Sequence, residues 1–304
     1  MISNRQLEVF AAVYEERSMT AAGRRIHMTQ PAVSQTIKDI ENIYETQLFE
    51  RYGSRLHVTQ AGNILYDYAR RIMNLYADLD EEIRRNEGVR EIRVGGNISV
   101  GTAQMIYLVE EFNKIHPDIK VKVMVYQAPV IMNAILNNEL DVAMVEDQTG
   151  NTFNQEYISE PYYLDKIEIV ASPEHKLAGK TVKLKELENE GFLFRERGAG
   201  VRDKFDHILR SLDVNVNVVW QCTSTEAIVS AVSRNMGISV LPYLLVKEYL
   251  DKGEICEIKL SDVSLSRNLN IICHKDKVIT KPLEDFINIV RKFGKEYNEG
   301  RLTQ

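Results

Sequence analysis

The hydrophobic pattern of this chain changes once, near residue 90, and that change limits it to a two-part molecule. Before it, apolar residues recur every third or fourth position, the spacing of helices that bury one face. From Glu91 onward short β runs alternate with helical segments: "IRVGG", "IKVKVMVY", "DVAMVE", "KIEIVAS", "VNVVWQ", "GISVLP", "EICEIKL" and "LNIICH". Strands alternating with helices predict an α/β domain with largely parallel sheets, and the 200 or so residues after Glu91 suffice for two lobes. With 304 residues, 44% hydrophobic and 27% charged, the composition is that of a soluble globular protein. The apolar runs are too short to span a bilayer and "MISNRQLEVF" lacks a signal-peptide profile, so a cytoplasmic location is expected, with no membrane partner. Cys222, Cys256 and Cys273 are odd in number and form no C-x-x-C, which argues against a disulfide framework or a zinc site and for buried thiols. The net charge is −6, yet acidic and basic residues balance through residue 60, so any nucleic-acid binding needs a local positive face.

Within the helical part, Pro31 interrupts "MTAAGRRIHMTQPAVSQTIKDIE", residues 19 to 41. Inside a helix a proline costs roughly 3 kcal/mol. The stretch therefore reads as two helices, with Thr29 as the N-cap of the second and Gln30 and Pro31 in its first turn, where no intrahelical N–H bond is lost. Before it, Asn4 can cap a helix that buries Leu7, Phe10, Ala11 and Tyr14 and ends near Arg17, and Ser18 or Thr20 can cap the short helix that follows. Past the proline, Val33, Ile37, Ile40 and Tyr44 keep a buried spacing, leaving Gln30, Ser34, Gln35 and Lys38 toward solvent. Two short helices around a tight turn, with small and amide side chains early in the second, suit a major groove about 12 Å wide. An ordinary helical hairpin with a solvated face fits the same spacing. The next segment, "LFERYGSRLHVTQAG", reads as a β-hairpin whose Arg51, Arg55 and His57 can meet phosphates. Thr59 can then cap a long helix to about Asn86, in which Leu65, Tyr68, Ile72, Leu75, Leu79 and Ile83 form an apolar seam of the coiled-coil type. Such a seam meets either a second copy of the chain or its own domain. Gly88 closes the helix and a hinge follows.

"AAGRRIHMTQPAVSQTIKDIE" followed by "LFERYGSRLHVTQAG" closely resembles the LysR-type transcriptional regulators, with Ala21-Ala22, Thr29-Gln30-Pro31-Ala32-Val33-Ser34, Leu48-Phe49-Glu50-Arg51 and Thr59-x-Ala61-Gly62 in register. The resemblance implies a winged helix-turn-helix over residues 1–58, a linker and dimerisation helix over 59–90, and a two-lobed effector-binding domain over 91–304, similar to type 2 periplasmic binding proteins. The lobes would comprise about 91–163 with 268–304, and 164–267, the chain crossing near Tyr163 and Arg267. DNA contacts would come from Thr29, Gln30, Pro31, Ser34, Gln35, Lys38, Arg51 and Arg55. Gln35 stands where family members often carry arginine, and glutamine favours adenine where arginine favours guanine.

Ligands of open α/β sheets sit beyond the carboxyl ends of strands, where helix N-termini offer free amides. Three such junctions stand out: Asn97, Ser99, Gly101 and Thr102 after "IRVGG"; Arg195, Gly198, Gly200 and Arg202 in "RERGAGVR"; and Thr223, Ser224 and Thr225 after "VVWQC". Hydroxyls, amides and arginines suit a small anionic metabolite. Helix capping, and pairing of the arginines with Glu196 or Asp203, compete for the same residues. The family uses positions 97 and 99 for effector contact but commonly has hydroxyl residues where Ala199 and Val201 stand. No catalytic motif, cofactor fingerprint or metal cluster is present, so the chain is not read as an enzyme and no cofactor is expected. The expected function is a sequence-specific transcriptional regulator acting on pseudopalindromic double-stranded DNA, self-associating as a dimer or tetramer, with RNA polymerase as a further partner. A two-lobed solute-binding or transferase-like protein whose N-terminal helices serve assembly is the alternative.

Overall fold

The computed structural model describes residues 2–52, 55–84, 91–146 and 156–298. Residues 1–89 belong to one compact unit, and residues 90–135 with 140–304 to the other.

The N-terminal unit holds α1 (Asn4–Glu16), α2 (Met19–Arg25), α3 (Gln30–Tyr44), β1 (Phe49–Tyr52), β2 (Arg55–Val58) and α4 (Gln60–Arg84). The cap of α1 is Ser3 and not Asn4: its Oγ accepts from the Gln6 amide at 3.2 Å while Gln6 Oε1 accepts from the Ser3 amide at 2.9 Å. This reciprocal box satisfies two end groups, which Asn4 as cap would not. Arg17, with φ 52°, stops α1, and Ser18 Oγ caps α2 by accepting from Ala21. Between α2 and α3 the Met28 amide donates to Gly23 O at 2.8 Å, and His27 takes φ 56°. A Cβ on Gly23 would lie 2.6 Å from that Met28 carbonyl oxygen, so the turn requires glycine there. Thr29 precedes α3 in extended geometry without a side-chain capping bond, and Pro31 occupies the first turn. Val33, Ile37 and Ile40 are buried with Leu7, Phe10 and Ala22, whereas Tyr44 is 51% exposed. Tyr44 ends the helix immediately before Glu45 reverses the chain at φ 50°, beyond the edge of the core.

Glu41 Oε1 accepts from the Leu48 amide at 2.8 Å, tying α3 to the start of the hairpin, in which Phe49 pairs with Val58 and Tyr52 with Arg55. Thr59 Oγ accepts from Gly62 and donates to Gln47 O, and a Cβ on Gly62 would lie 2.5 Å from Leu48 O. Thr59 thus caps α4 while Gly62 lets its first turn close on the hairpin.

In the C-terminal unit β3 (Glu91–Gly96) runs parallel to both β4 (Lys120–Val125) and β5 (Val142–Glu146). The helices α5 (Ile98–Ala103), α6 (Met105–Ile115) and α7 (Ala128–Leu136) connect them. The second lobe contributes β7 (Thr181–Val182), β8 (Gly191–Arg195), α8 (Gly200–Ser211), β9 (Asn217–Cys222), α9 (Thr225–Ser233), β10 (Ser239–Pro242), α10 (Tyr243–Asp251) and β11 (Cys256–Leu260). Two long strands, β6 (Tyr157–Ala171) and β12 (Ser266–His274), carry the chain across, and α11 (Lys281–Asn298) returns to the first lobe, where Phe286 meets Phe112 edge-on at 5.7 Å.

The expectation of largely parallel sheets needs correction. β6 and β12 pair antiparallel with each other, β12 is antiparallel to β5, and β10 and β11 are antiparallel to β6. Because the two crossings run in opposite directions, each crossing strand opposes the other at the centre of the sheet. β6 exchanges β12 for β10 between Lys166 and Ile167, three residues beyond the expected crossing at Tyr163. The first lobe buries Ile131, Ile135, Val145 and Ile272, and the second buries Ile169, Phe192, Phe194 and Phe205. The expected hinge at Gly88 lies outside the described residues.

Candidate functional site

The outward face of α3 forms as its periodicity requires. Thr29, Gln30, Pro31, Gln35 and Lys38 are exposed and Ser34 is half-buried. Gln35 Nε2 donates to Asp39 Oδ1 at 2.8 Å, so its amide is held along the helix. Arg51 and Arg55 occupy β1 and β2, with side chains outside the described residues. On α4, Tyr68, Ile72, Leu75 and Leu79 are exposed, together with Ile64 and Tyr76. Leu65 departs from the expected seam: it packs on the core of the N-terminal unit. That end of α4 lies against α1, where Tyr66 stacks on Tyr14 with ring centroids 3.7 Å apart. The side chain of Ile83 is outside the described residues.

The three junctions of the C-terminal unit converge on two cavities that share Ile98 and Arg195. The smaller, of about 40 Å³, is lined by Asn97, Ser99, Glu146, Gly198, Gly200 and Arg267 among others. The larger, of about 490 Å³, is lined by Thr102, Thr223, Ser224, Thr225, Glu226 and residues of α10. Asn97 caps α5, its Oδ1 accepting from Val100 at 3.0 Å, and its Nδ2 donates to Glu146 Oε2 at 2.8 Å. Arg195 grips Glu196 with two nitrogens, at 2.9 and 3.1 Å, and donates through Nη1 to Thr225 Oγ at 2.8 Å. Burial raises the Glu196 carboxyl, but the hydrogen bond and charge of Arg195 outweigh it and hold the group below its ordinary pKa. Ser224 caps α9, accepting from Ala227 and donating to Glu226.

Several expected contacts are displaced. Gly101 is a packing position: a Cβ there would lie 2.4 Å from Val125 Cγ1, so glycine lets α5 lie against β4. Gly198, at φ 90°, donates its amide to Asp203 Oδ1 at 3.1 Å and does not offer it to a ligand. Arg202 is not in the cleft. Two residues beyond Gly200 the helix has turned by about 200°, placing Arg202 over the Phe194 ring at 3.4 Å, with Nε on Asp206 Oδ2 at 2.8 Å, beside a separate groove that includes Arg197 and His207.

Sequence reasoning missed the floor of the cleft. Glu146 ends a fully buried strand and accepts from Arg267 Nη1 as well as Asn97, while Arg267 Nε donates to Asp165 Oδ2 at 2.8 Å. All three charged groups are nearly inaccessible. Burial pushes the Asp165 carboxyl above the ordinary aspartate range, against the pull of Arg267. A carboxylate closing an otherwise apolar strand, in "DVAMVE", was the available signal.

Among the described residues no cluster of His, Cys, Asp and Glu could hold a metal ion, and no helix is long and apolar enough to cross a membrane. Cys273 is buried and Cys222 and Cys256 are half-buried; burial pushes the Cys273 thiol up to about 11 and raises Cys256.

Two family models cover this architecture. Residues 4–63 match the bacterial regulatory helix-turn-helix protein of the lysR family, and residues 85–295 match the LysR substrate binding domain. The chain belongs to the LysR family. Its LysR relatives include the HTH-type transcriptional regulator CysL of Bacillus subtilis, 29% identical over 94% of this chain and 95% of that protein. YeiE of Escherichia coli, an uncharacterized HTH-type transcriptional regulator, is 30% identical over 94% and 96%. Among solved LysR structures, full-length CbnR in complex with its target DNA superposes with a TM-score of 0.68 at 19% identity, covering 96% of this chain and 99% of that one. The regulatory domain of Synechocystis CcmR in complex with 2-PG gives 0.62 at 23%, covering 67% and 97%. As a LysR family member the protein is a DNA-binding transcriptional regulator with an effector-binding domain, and not an enzyme.

Proposed function

We propose that this regulator is controlled by a small metabolite that binds between the lobes of the C-terminal unit through an acidic group. The observation that carries the reading is Arg195, which lines both cavities and is already joined to the hydroxyl of Thr225. An arginine beside hydroxyls at a helix start offers charge-assisted bonds to a carboxylate or similar oxyanion. The ligand would favour one arrangement of the lobes and so shift the population of DNA-competent states. The solved CcmR and QuiR domains, in complex with 2-PG and shikimate, support a small-molecule site on this fold. Operator contacts by Gln30, Ser34, Gln35 and Lys38 on α3, and self-association through the exposed Tyr68, Leu75 and Leu79 of α4, complete the reading. A two-fold assembly would meet half-sites about one helical turn apart, or a multiple of it; RNA polymerase is the further partner.

Thermal-shift screening of the full chain against organic acids, amino acids and sulfur oxyanions tests the cleft. A genuine effector raises the melting temperature of the wild type and loses that effect in Ser99→Ala or Thr225→Val. Stabilisation that survives both substitutions places the ligand elsewhere. DNase footprinting tests the other end: protection independent of Gln30 and Ser34 removes α3 from the interface.

A further inference from the structure

Glu146 leaves one carboxylate oxygen without a donor at the floor of the cleft, and that oxygen limits what a ligand bound there, as proposed above, can be. Oε2 takes the hydrogen bonds of Asn97 and Arg267, while Oε1 receives none among the described residues. The residue is 7% exposed. Oε1 points at the first residue of α8: a Cβ on Gly200 would lie only 2.0 Å from it, and both residues line the 40 Å³ cavity. Oε1 itself is not sealed off: it keeps accessible surface facing the cavity, so an entering ligand can donate to it.

Both guanidiniums that line the smaller cavity are paired with carboxylates, while Lys247 lies on the wall of the larger one. Arg195 is held by Glu196, and Arg267 lies between Glu146 and Asp165. A plain oxyanion can meet Arg195 and Thr225 on the larger-cavity side, but one that enters the smaller cavity faces the lone pairs of Oε1. A protonated amine meets the opposite situation, gaining a carboxylate oxygen to which no described group donates. The small cavity has room for a group of about that size, and it adjoins the 490 Å³ cavity through the Ile98 and Arg195 walls, which leaves the rest of a ligand space beside the hydroxyls of Thr223 to Thr225.

We propose that the effector is an amino-carboxylate zwitterion, whose ammonium group donates to Glu146 Oε1 while its carboxylate lies on the Arg195 and Thr225 side. Glu146 is then the residue that determines specificity, and the glycine at position 200 is what allows its carboxylate to stand there. A site built around a donor group rejects the isostere that lacks it far more strongly than a hydrophobic pocket rejects a missing methylene.

Isothermal titration of the full chain with the common α-amino acids, and with 2-hydroxy acids of the same skeleton such as lactate, glycerate and malate, tests this directly, with inorganic sulfate and phosphate as plain anions. The expected result is saturable binding of at least one amino acid, with its hydroxy counterpart weaker by about tenfold or more. Glu146→Gln brings the pair within about threefold of each other. If that variant does not fold, as read by circular dichroism, the wild-type comparison alone decides. A hydroxy acid or inorganic anion that binds as tightly as the amino acids, and is weakened by Thr225→Val, overturns the ammonium site while leaving the cleft as the effector site. Absence of saturable binding for every probe overturns both.

Discussion

Gln30, Ser34, Gln35 and Lys38 lie on one face of one helix, so the DNA-reading surface proposed above is complete once α3 forms and packs. The cleft of the C-terminal unit is assembled from α5, β5, β8, α8, α9 and β12, and its central ion pair, Glu146 with Arg267, joins residues 121 positions apart. A surface built on one helix inherits its geometry from short-range rules of periodicity and capping. A cleft closed by distant strands inherits its geometry from the sheet, and its electrostatics depend on which charges the sheet happens to oppose.

That contrast can be broken most strongly at Arg267. Arg267→Ala leaves Glu146 and Asp165 buried without their common cation, and is expected to cost the C-terminal unit about 3–5 kcal/mol, measured by urea unfolding, with the N-terminal transition unmoved. Gly23→Ala is the counterpart in the other unit. Its new methyl meets the Met28 carbonyl, at an expected cost of about 1–3 kcal/mol that appears in the N-terminal transition and as weaker operator binding. Substitutions that leave both folds intact sharpen the comparison further. By fluorescence anisotropy, Gln30→Ala is expected to lose about 1–3 kcal/mol on the specific operator and little on random DNA, while Lys38→Ala weakens both and reduces the salt slope by about one.

The smallest expected effect concerns pH. Burial, then the hydrogen bond and charge of Glu257 on the neighbouring strand, push the Glu168 carboxyl from 4.5 up to about 7, with Lys166 and Lys259 opposing. The folded chain therefore holds this proton more tightly than the unfolded one, and stability falls as pH rises from about 4.5 through 7. Glu168→Gln is expected to flatten that slope by less than about 1 kcal/mol, since the group is half exposed and screened. Thermal melts at pH 5.5 and 8 check it.

The helix boundaries around Pro31, the hairpin at Leu48 to Val58 and the β runs after Glu91 were legible because each follows from residues within a few positions of one another. Ser3 escaped notice because its capping box needs Gln6 to reach back, a feature that helix periodicity does not register. The antiparallel centre of the sheet was missed for a different reason: alternation of strands and helices says nothing about two strands that merely cross between lobes. In the cleft, Asn97, Ser99, Arg195 and Thr225 were recognisable from their place after strands. Glu146 was not, because a terminal carboxylate acquires meaning only when Arg267 and Gly200 arrive beside it. Arg202 was misplaced because the direction of a side chain on α8 depends on where the helix begins to turn, and an error of one or two residues reverses the face.

β6 and β12 pair from Tyr157 with His274 to Lys166 with Ser266, and their register shifts once, between Leu269 and Asn270. A ladder of this kind resists sliding, because each rung lost forfeits a hydrogen bond of about 1 kcal/mol, yet it yields to torsion about its own length. The two lobes thus share one pair of strands as a torsion bar, and a ligand bound between them as proposed would act most easily by turning one lobe against the other.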